Sequence, residues 1–261
     1  MDELEQRMIF ERRGAVGWLT VNRPEARNAM TFAMYDRLVE VCDEVDADPE
    51  LRVLVITGAG GKSFIAGTDI SQFKYFTDPQ NALDYEQRMD RVIGRVESLA
   101  KPSIAMIHGY AVGGGATVAL ACDLRLCTPD SRFGVPIART LGNCLSTSNY
   151  ARLVDLIGPA RTKELIFTAR LVEAEEALAL GLVNEVVSAE GLEPRVMALA
   201  EQIAANAPLT IQVTKESVRR VLLQRRPERA NDLIQTCYQS EDFKEGVNAF
   251  LEKRKPVWTG R

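Results

Sequence analysis

Gly113, Gly114 and Gly115 stand in a row within HGYAVGGGATVALACDLR, residues 108–125. Adjacent glycines are costly in conformational entropy unless the backbone itself has a task. A second stretch, FIAGTDI at 64–70, repeats the order of strand, small-residue turn and helix-prone segment. Newly started helices leave amide N–H groups unpaired, and small residues let a ligand approach them. Two such donors converging on one oxygen form an oxyanion hole. That arrangement suits a thioester carbonyl, whose oxygen becomes negative on enolisation.

Other chemistries fit less well. RVLVITGAGGKSF runs a strand into Gly61-Lys62-Ser63, but a phosphate loop requires glycine where Ile56 stands, so a polar turn is expected. Counting Gly113 and Gly115 as the first two glycines of a dinucleotide fingerprint puts Val118 in the third place. His108 is the only histidine, which excludes a His-rich metal site, and a Ser-His-Asp system would have to use it. Before Gly109, a histidine suits a turn or packing role, with direct chemistry as the alternative. The five cysteines, Cys42, Cys122, Cys127, Cys144 and Cys237, contain no CxxC pair. They point to free thiols in a reducing compartment, and no metal is expected.

The elements that must hold the two glycine turns are legible in outline. MIFERR and VGWLTVNR flank Gly14 as a hairpin, and TFAMYDRLVEVCDEVDAD is an amphipathic helix with Thr31 as N-cap. Apolar runs at 52–58 and SIAMIHG suit buried strands, DLRLCT would be another, and 80–99 reads as a helix. Beyond about residue 145 helical spacing dominates, broken at Gly158-Pro159, Gly181, Pro208 and Pro227, with one short strand at NEVV. The chain has 261 residues, 46% of them hydrophobic and 26% charged, which is ample for a core. A formal charge of −4 offers no footprint for nucleic acid. No run of eighteen apolar residues could span a membrane, and MDELEQRMIF does not read as a signal peptide, so a cytoplasmic setting is expected.

The chain resembles the crotonase family, the enoyl-CoA hydratase/isomerase superfamily, over nearly its whole length. The resemblance is carried by LTVNRPEARNAM, FIAGTDI, HGYAVGGGATVALACDLR, FGVP, ALALGLVNEVV and EDFKEGVNAFLEKRKPVWTG, in that order. It implies an α/β fold with a ββα spiral core over 1–200 and a helical region over 201–261 used for oligomerisation, commonly as a trimer or hexamer. It implies an acyl-CoA substrate, with coenzyme A arriving as part of the substrate and no separate cofactor. By position, the two oxyanion N–H groups fall on Thr68 and Gly114, and the adenine and pantetheine stretch on Ala26, Arg27, Ala66, Gly67, Asp69 and Ile70. Phe250 and Lys253 correspond to a tail that the family often supplies from a neighbouring subunit, with packing or solvated surface as the alternative.

At two positions the chain departs from the family's hydratases. The first water-activating glutamate would stand two residues after Gly115, where this chain has Thr117. The second falls in FGVPIARTLG, on Ile137 when counted from Pro136 and on Ala138 when counted from Leu141-Gly142. Both are apolar, and a threonine hydroxyl can orient water but is too weak a base to deprotonate it. Substitutes near in sequence are Arg139, Asn143, Cys144 and Ser146, with Asp69 and Asp130 as carboxylates. Asp69 also suits a helix cap, and Arg139 either a clamp on a substrate anion or a surface ion pair. The expected function is therefore an acyl-CoA enzyme that stabilises a thioester enolate, acting as lyase or isomerase, with standard hydration in doubt. The alternative is a homologue that binds acyl-CoA without catalysis. The segment 71–95, with Phe73, Tyr75, Phe76 and Tyr85, should shape the acyl pocket or simply pack.

Overall fold

Two sheets share the work of the fold, and successive stretches of chain add one strand to each. The computed structural model describes residues 3–76, 78–224 and 231–260, so Pro227 and the side chain of Tyr75 lie outside the described residues. The strands are β1 (Met8–Arg13), β2 (Val16–Val21), β3 (Val53–Gly58), β4 (Ser63–Ile65), β5 (Ser103–Ile107), β6 (Tyr110–Val112), β7 (Leu124–Cys127), β8 (Arg132–Gly134), β9 (Val172–Glu173) and β10 (Glu185–Val186). The larger sheet runs β1-β2-β3-β5-β7-β10 and the smaller β4-β6-β8-β9. Thus β3, β5 and β7 extend the larger sheet, while the strands that follow them, β4, β6 and β8, extend the smaller. This is the ββα spiral that the resemblance implies.

The hairpin at Gly14 is antiparallel, pairing Met8 with Val21 and Arg13 with Val16, whereas β2, β3, β5 and β7 run parallel. Strands β3 and β5 are buried throughout, which accounts for their unbroken apolar runs. The helices are α1 (Glu3–Arg7), α2 (Phe32–Ala47), α3 (Pro79–Glu97), α4 (Gly114–Ala121), α5 (Ile137–Thr140), α6 (Thr147–Thr168), α7 (Ala174–Leu180), α8 (Ala189–Ala204), α9 (Pro208–Leu223), α10 (Asn231–Tyr238) and α11 (Glu241–Leu251). Thr31 caps α2 by accepting from the Met34 amide, and Gly158 breaks α6 before Pro159. One face of the larger sheet is covered by α8, through Leu192, Val196 and Ala200 against Trp18, Val55 and Ile104.

Helix α4 leads from β6 of the smaller sheet to β7 of the larger and packs against β4 and β6; it is apolar all round, with Ala116, Thr117, Val118 and Ala119 buried. A Cβ on Gly115 would fall 2.0 Å from the Ile65 carbonyl oxygen, so only glycine lets this helix lie against β4. The far end of α4 is held by Arg125, whose Nε donates to the Leu182 carbonyl at 2.7 Å. Its Nη1 donates to the carbonyls of Cys122 at 2.6 Å and Ala119 at 3.3 Å. A cation at a helix C-terminus satisfies its orphan carbonyls and complements the dipole.

The last two helices divide their apolar residues between core and surface. Ile234, Tyr238, Phe243 and Val247 are buried against Phe73, Leu83 and Leu141 of the same chain. Leu233, Phe250 and Leu251 of the same two helices are exposed, as are Leu209, Val213, Val218, Val221 and Leu223 on α9.

Candidate active site

The two glycine turns meet. The Met30 amide donates to the Gly67 carbonyl and the Asp69 amide to the Met30 carbonyl, each at 2.9 Å. Thr68 lies between these bonds, and its own N–H has no backbone partner among the described residues. Gly114 is the first residue of α4, and its N–H is likewise free of backbone partners there. A Cβ built on Gly67 would stand 3.6 Å from the Gly114 nitrogen, so the turns are in van der Waals reach. The positive end of the α4 dipole adds to the attraction for a developing anion.

Side chains from elsewhere pin the first turn. Thr68 Oγ1 lies 3.2 Å from Tyr35 Oη and 2.9 Å from Tyr85 Oη. Burial pushes the Tyr35 phenol up to about 12, against the opposing effect of its Thr68 bond. Burial raises Tyr85 well above its ordinary value as well. Both remain neutral hydroxyls at any working pH, able to orient Thr68 but not to carry charge.

Next to it, Asn28 fastens the 23–28 turn. Its Nδ2 donates to the carbonyls of Ala59 at 2.9 Å and Ser63 at 2.7 Å, while Oδ1 accepts from the Arg23 amide at 2.9 Å. Arg23 in turn donates to Asp69 Oδ2 at 2.7 Å and to the Ala29 carbonyl at 3.0 Å. Asp69 caps the 3-10 turn Ile70–Tyr75 by accepting from the Ser71 amide and hydroxyl. Burial alone would raise the Asp69 carboxyl, but the Ser71 and Arg23 bonds outweigh it and hold the group below its ordinary value.

A single cavity of about 890 Å³ is lined by every residue expected at an acyl-CoA site: Thr68, Gly114 and Thr117, then Ala26, Arg27, Ala66, Gly67, Asp69 and Ile70, and also Phe250 and Lys253. Phe250 and Lys253 reach it from the end of α11 of the same chain. The reason is the burial of α10 and α11 against α3 and the Ile70–Tyr75 turn, which brings the tail back over its own core. Phe73 and Tyr85 line the cavity too, as expected for segment 71–95.

Of the substitute residues near in sequence, Asn143 and Cys144 line the cavity, and Arg139 and Asp130 are exposed elsewhere. Ile137 lines it, whereas Ala138 is exposed away from it. The Thr117 hydroxyl donates to the Gly114 carbonyl at 2.8 Å, a bond within its own helix.

One lining residue escaped sequence reasoning. Glu86, on α3, is 4% exposed and shares the cavity wall with Tyr85, Met89, Asn143 and Cys144. Tyr238 Oη donates to Glu86 Oε1 at 2.6 Å and accepts from Asn143 Nδ2 at 3.1 Å. Burial pushes the Glu86 carboxyl up to about 8, and the nearby Asp90 charge adds to this against the Tyr238 bond and the Ser146 amide. A glutamate amid the helix-favouring DYEQRMDRV looks like any solvated helix residue, and only the distant Tyr238 and Asn143 mark it as buried.

Known proteins share this architecture. Residues 11–261 match the enoyl-CoA hydratase/isomerase family. The chain is 36% identical to a short-chain-enoyl-CoA hydratase of Clostridium acetobutylicum, covering 95% of each chain. It is also 36% identical to a carnitinyl-CoA dehydratase of Citrobacter koseri, over 99% of this chain and 100% of that one. A solved structure of a methylmalonyl-CoA decarboxylase in complex with 2-nitronate-propionyl-CoA superposes with a TM-score of 0.90 at 30% identity, covering 98% of this chain and 99% of that one. With the spiral of two sheets, the paired glycine turns and this likeness along the full length, the chain belongs to the enoyl-CoA hydratase/isomerase family.

Proposed function

We propose that this protein is an acyl-CoA enzyme that polarises a thioester carbonyl between the amide N–H groups of Thr68 and Gly114 and stabilises the resulting enolate. In this reading the coenzyme A moiety lies along Ala26, Arg27, Ala66, Gly67, Asp69 and Ile70, with Phe250 and Lys253 at its far part. The observation that carries it is the convergence, on one wall of the 890 Å³ cavity, of two amides that lack backbone partners among the described residues. The relatives are named as enzymes, which supports catalysis over the alternative of acyl-CoA binding alone.

The reaction is one other than two-carboxylate hydration. Syn addition of water needs one group to deprotonate water and another to deliver a proton to carbon, and each such partner contributes about 10²–10⁴-fold. By the resemblance, Thr117 and Ile137 stand in those places, and neither can do this work. The test combines calorimetric titration with crotonyl-CoA and loss of the conjugated enoyl absorbance at saturation, beside a two-glutamate hydratase. Binding with hydration slower by two or more orders of magnitude is the expected result. Thr117→Glu alone does not restore the rate, because Ile137 remains. Hydration at the control's rate would overturn the assignment.

A further inference from the structure

Among the described residues three carboxylates line the cavity: Glu25, Asp69 and Glu86. Glu25 extends into solvent, with 69% of its side chain exposed. Asp69 is committed to Arg23 and to capping the Ile70–Tyr75 turn, and those bonds favour its ionised form. Glu86 alone is both buried and free of any cationic partner among the described residues. Its environment is otherwise built with care. Asn143 Nδ2 donates to Tyr238 Oη, and Tyr238 Oη donates to Glu86 Oε1, so the chain of donors has one direction. Tyr238 Oη and the Ser146 amide hold the carboxyl in place at the cavity wall.

A carboxyl held in this way has little structural justification. Burying it ionised without a cationic partner is costly, and an apolar residue would pack beside Leu83 and Tyr238 at lower cost. Groups poised between protonation states within a cleft are what proton transfer requires.

We propose that Glu86 is the catalytic acid-base of this site, exchanging a proton with the α-carbon of the bound acyl thioester, and that Tyr238 is its positioning residue. The proposal rests on the enolate reading above. In the forward step the Glu86 carboxylate takes the α-proton, and the C–H electron pair forms the C=C bond of the enolate. The carbonyl π pair moves onto oxygen, which the Thr68 and Gly114 amides receive. In the return step protonated Glu86 gives its proton to carbon and the carbonyl is restored. No oxidant, metal or second substrate is needed. One group suffices for a proton shift within the acyl chain, whereas addition of water would need two.

The groups facing Glu86 set its behaviour. On α3 these are Tyr85 and Asp90, from α10 Tyr238 with Cys144 near by, and from the 143–146 loop the Ser146 amide. Asp90 opposes ionisation, while Tyr238 and Ser146 favour it.

The experiment incubates the full-length protein with butyryl-CoA and with trans-hex-3-enoyl-CoA in D₂O and follows α-deuteration by mass spectrometry, with affinity measured by calorimetry. Wild type is expected to bind both and to deuterate the α-carbon. Glu86→Gln should bind comparably and exchange at least 10²-fold more slowly, and Glu86→Asp should retain an intermediate rate. With carboxylate as base, exchange rises with pH, and Tyr238→Phe moves the midpoint upward because it removes a bond to the ionised form. A merely structural tyrosine would lower the amplitude without moving that midpoint. Exchange by folded Glu86→Gln at the wild-type rate overturns the proposal and leaves the enolate reading standing. Should Glu86→Gln fail to fold, an unmoved midpoint in Tyr238→Phe overturns it equally. A wild-type protein that binds neither thioester, or binds without exchange, overturns the enolate reading and this proposal together.

Discussion

The Tyr35 hydroxyl occupies the space that a side chain on Gly114 would need: a Cβ there would lie 2.3 Å from Tyr35 Oη. The same hydroxyl bonds Thr68 Oγ1 at 3.2 Å, so one buried phenol braces one turn and excludes any side chain from the other. Gly114→Ala must therefore displace Tyr35 or the start of α4. Acyl-CoA affinity is expected to fall tenfold or more. Tyr35→Phe removes the obstructing oxygen, and the next neighbours stand at 3.3 Å and 3.5 Å, tight but tolerable. It gives up one hydrogen bond, worth about 1 kcal/mol, while Tyr85 keeps its own. The double variant should bind more tightly than Gly114→Ala alone, with a coupling of about 1 kcal/mol or more in the cycle. Additive effects by calorimetry would show that the two sites do not meet as described.

Arg125 offers a stability prediction. It is 5% exposed and has no carboxylate partner among the described residues, and it donates instead to three carbonyls at the end of α4 and in the loop after α7. Replacing it with methionine orphans those carbonyls at about 1–3 kcal/mol each, offset in part by relief of a buried cation's desolvation. The net loss is expected to be about 2–4 kcal/mol by urea unfolding. Arg125→Lys should lose part of that, because one ammonium cannot span both the helix end and Leu182. A methionine variant within 1 kcal/mol of wild type would mean that water replaces the guanidinium at no cost.

How much was legible depended on whether the signal was local. The hairpin at Gly14, the Thr31 cap, and strands β3, β5 and β7 carry their pattern in consecutive residues, and all form. The smaller sheet is barely visible in sequence, since β8 has three residues and β9 two, too short to show a period. The turns around Thr68 and Gly114 were readable because glycine is diagnostic. Glu86 was not, because its burial is created by Tyr238 and Asn143, more than fifty residues away. Of the residues near Thr117 along the chain, Asn143 and Cys144 line the cavity and Arg139 and Asp130 face solvent, while the buried carboxylate comes from α3 upstream.

Assembly follows from α9. A solvent-facing helix with Leu209, Val213, Val218, Val221 and Leu223 exposed is unusual for a helix facing water on its own. The protein is expected to be a trimer or hexamer by light scattering at micromolar concentration, with α9 covered. Val213→Glu combined with Val221→Glu should shift it to smaller species while leaving far-UV circular dichroism unchanged. A wild-type monomer, or a double variant that assembles as before, would place the contacts elsewhere.

The last prediction concerns pH and does not depend on catalysis. Glu86 in the folded protein has its carboxyl raised to about 8, by burial first and by Asp90 second, against Tyr238 and the Ser146 amide. In the unfolded chain the same group loses its proton near pH 4.3. Between these values the folded state holds a proton that the unfolded state has released. By linkage, that difference makes unfolding more favourable as pH rises. The stability contributed by protonated Glu86 is therefore complete below about pH 4, declines from there to about pH 8, and is absent above. Glutamine carries no such proton. Urea unfolding of wild type and Glu86→Gln at pH 5, 6, 7 and 8 should show a difference that moves steadily in favour of glutamine as pH rises. Comparing the two proteins at each pH cancels titration of the groups they share, His108 among them. Parallel stability curves over that range would mean that Glu86 ionises as readily in the folded cavity as in water, and that Tyr238 and Asn143 do not enclose it.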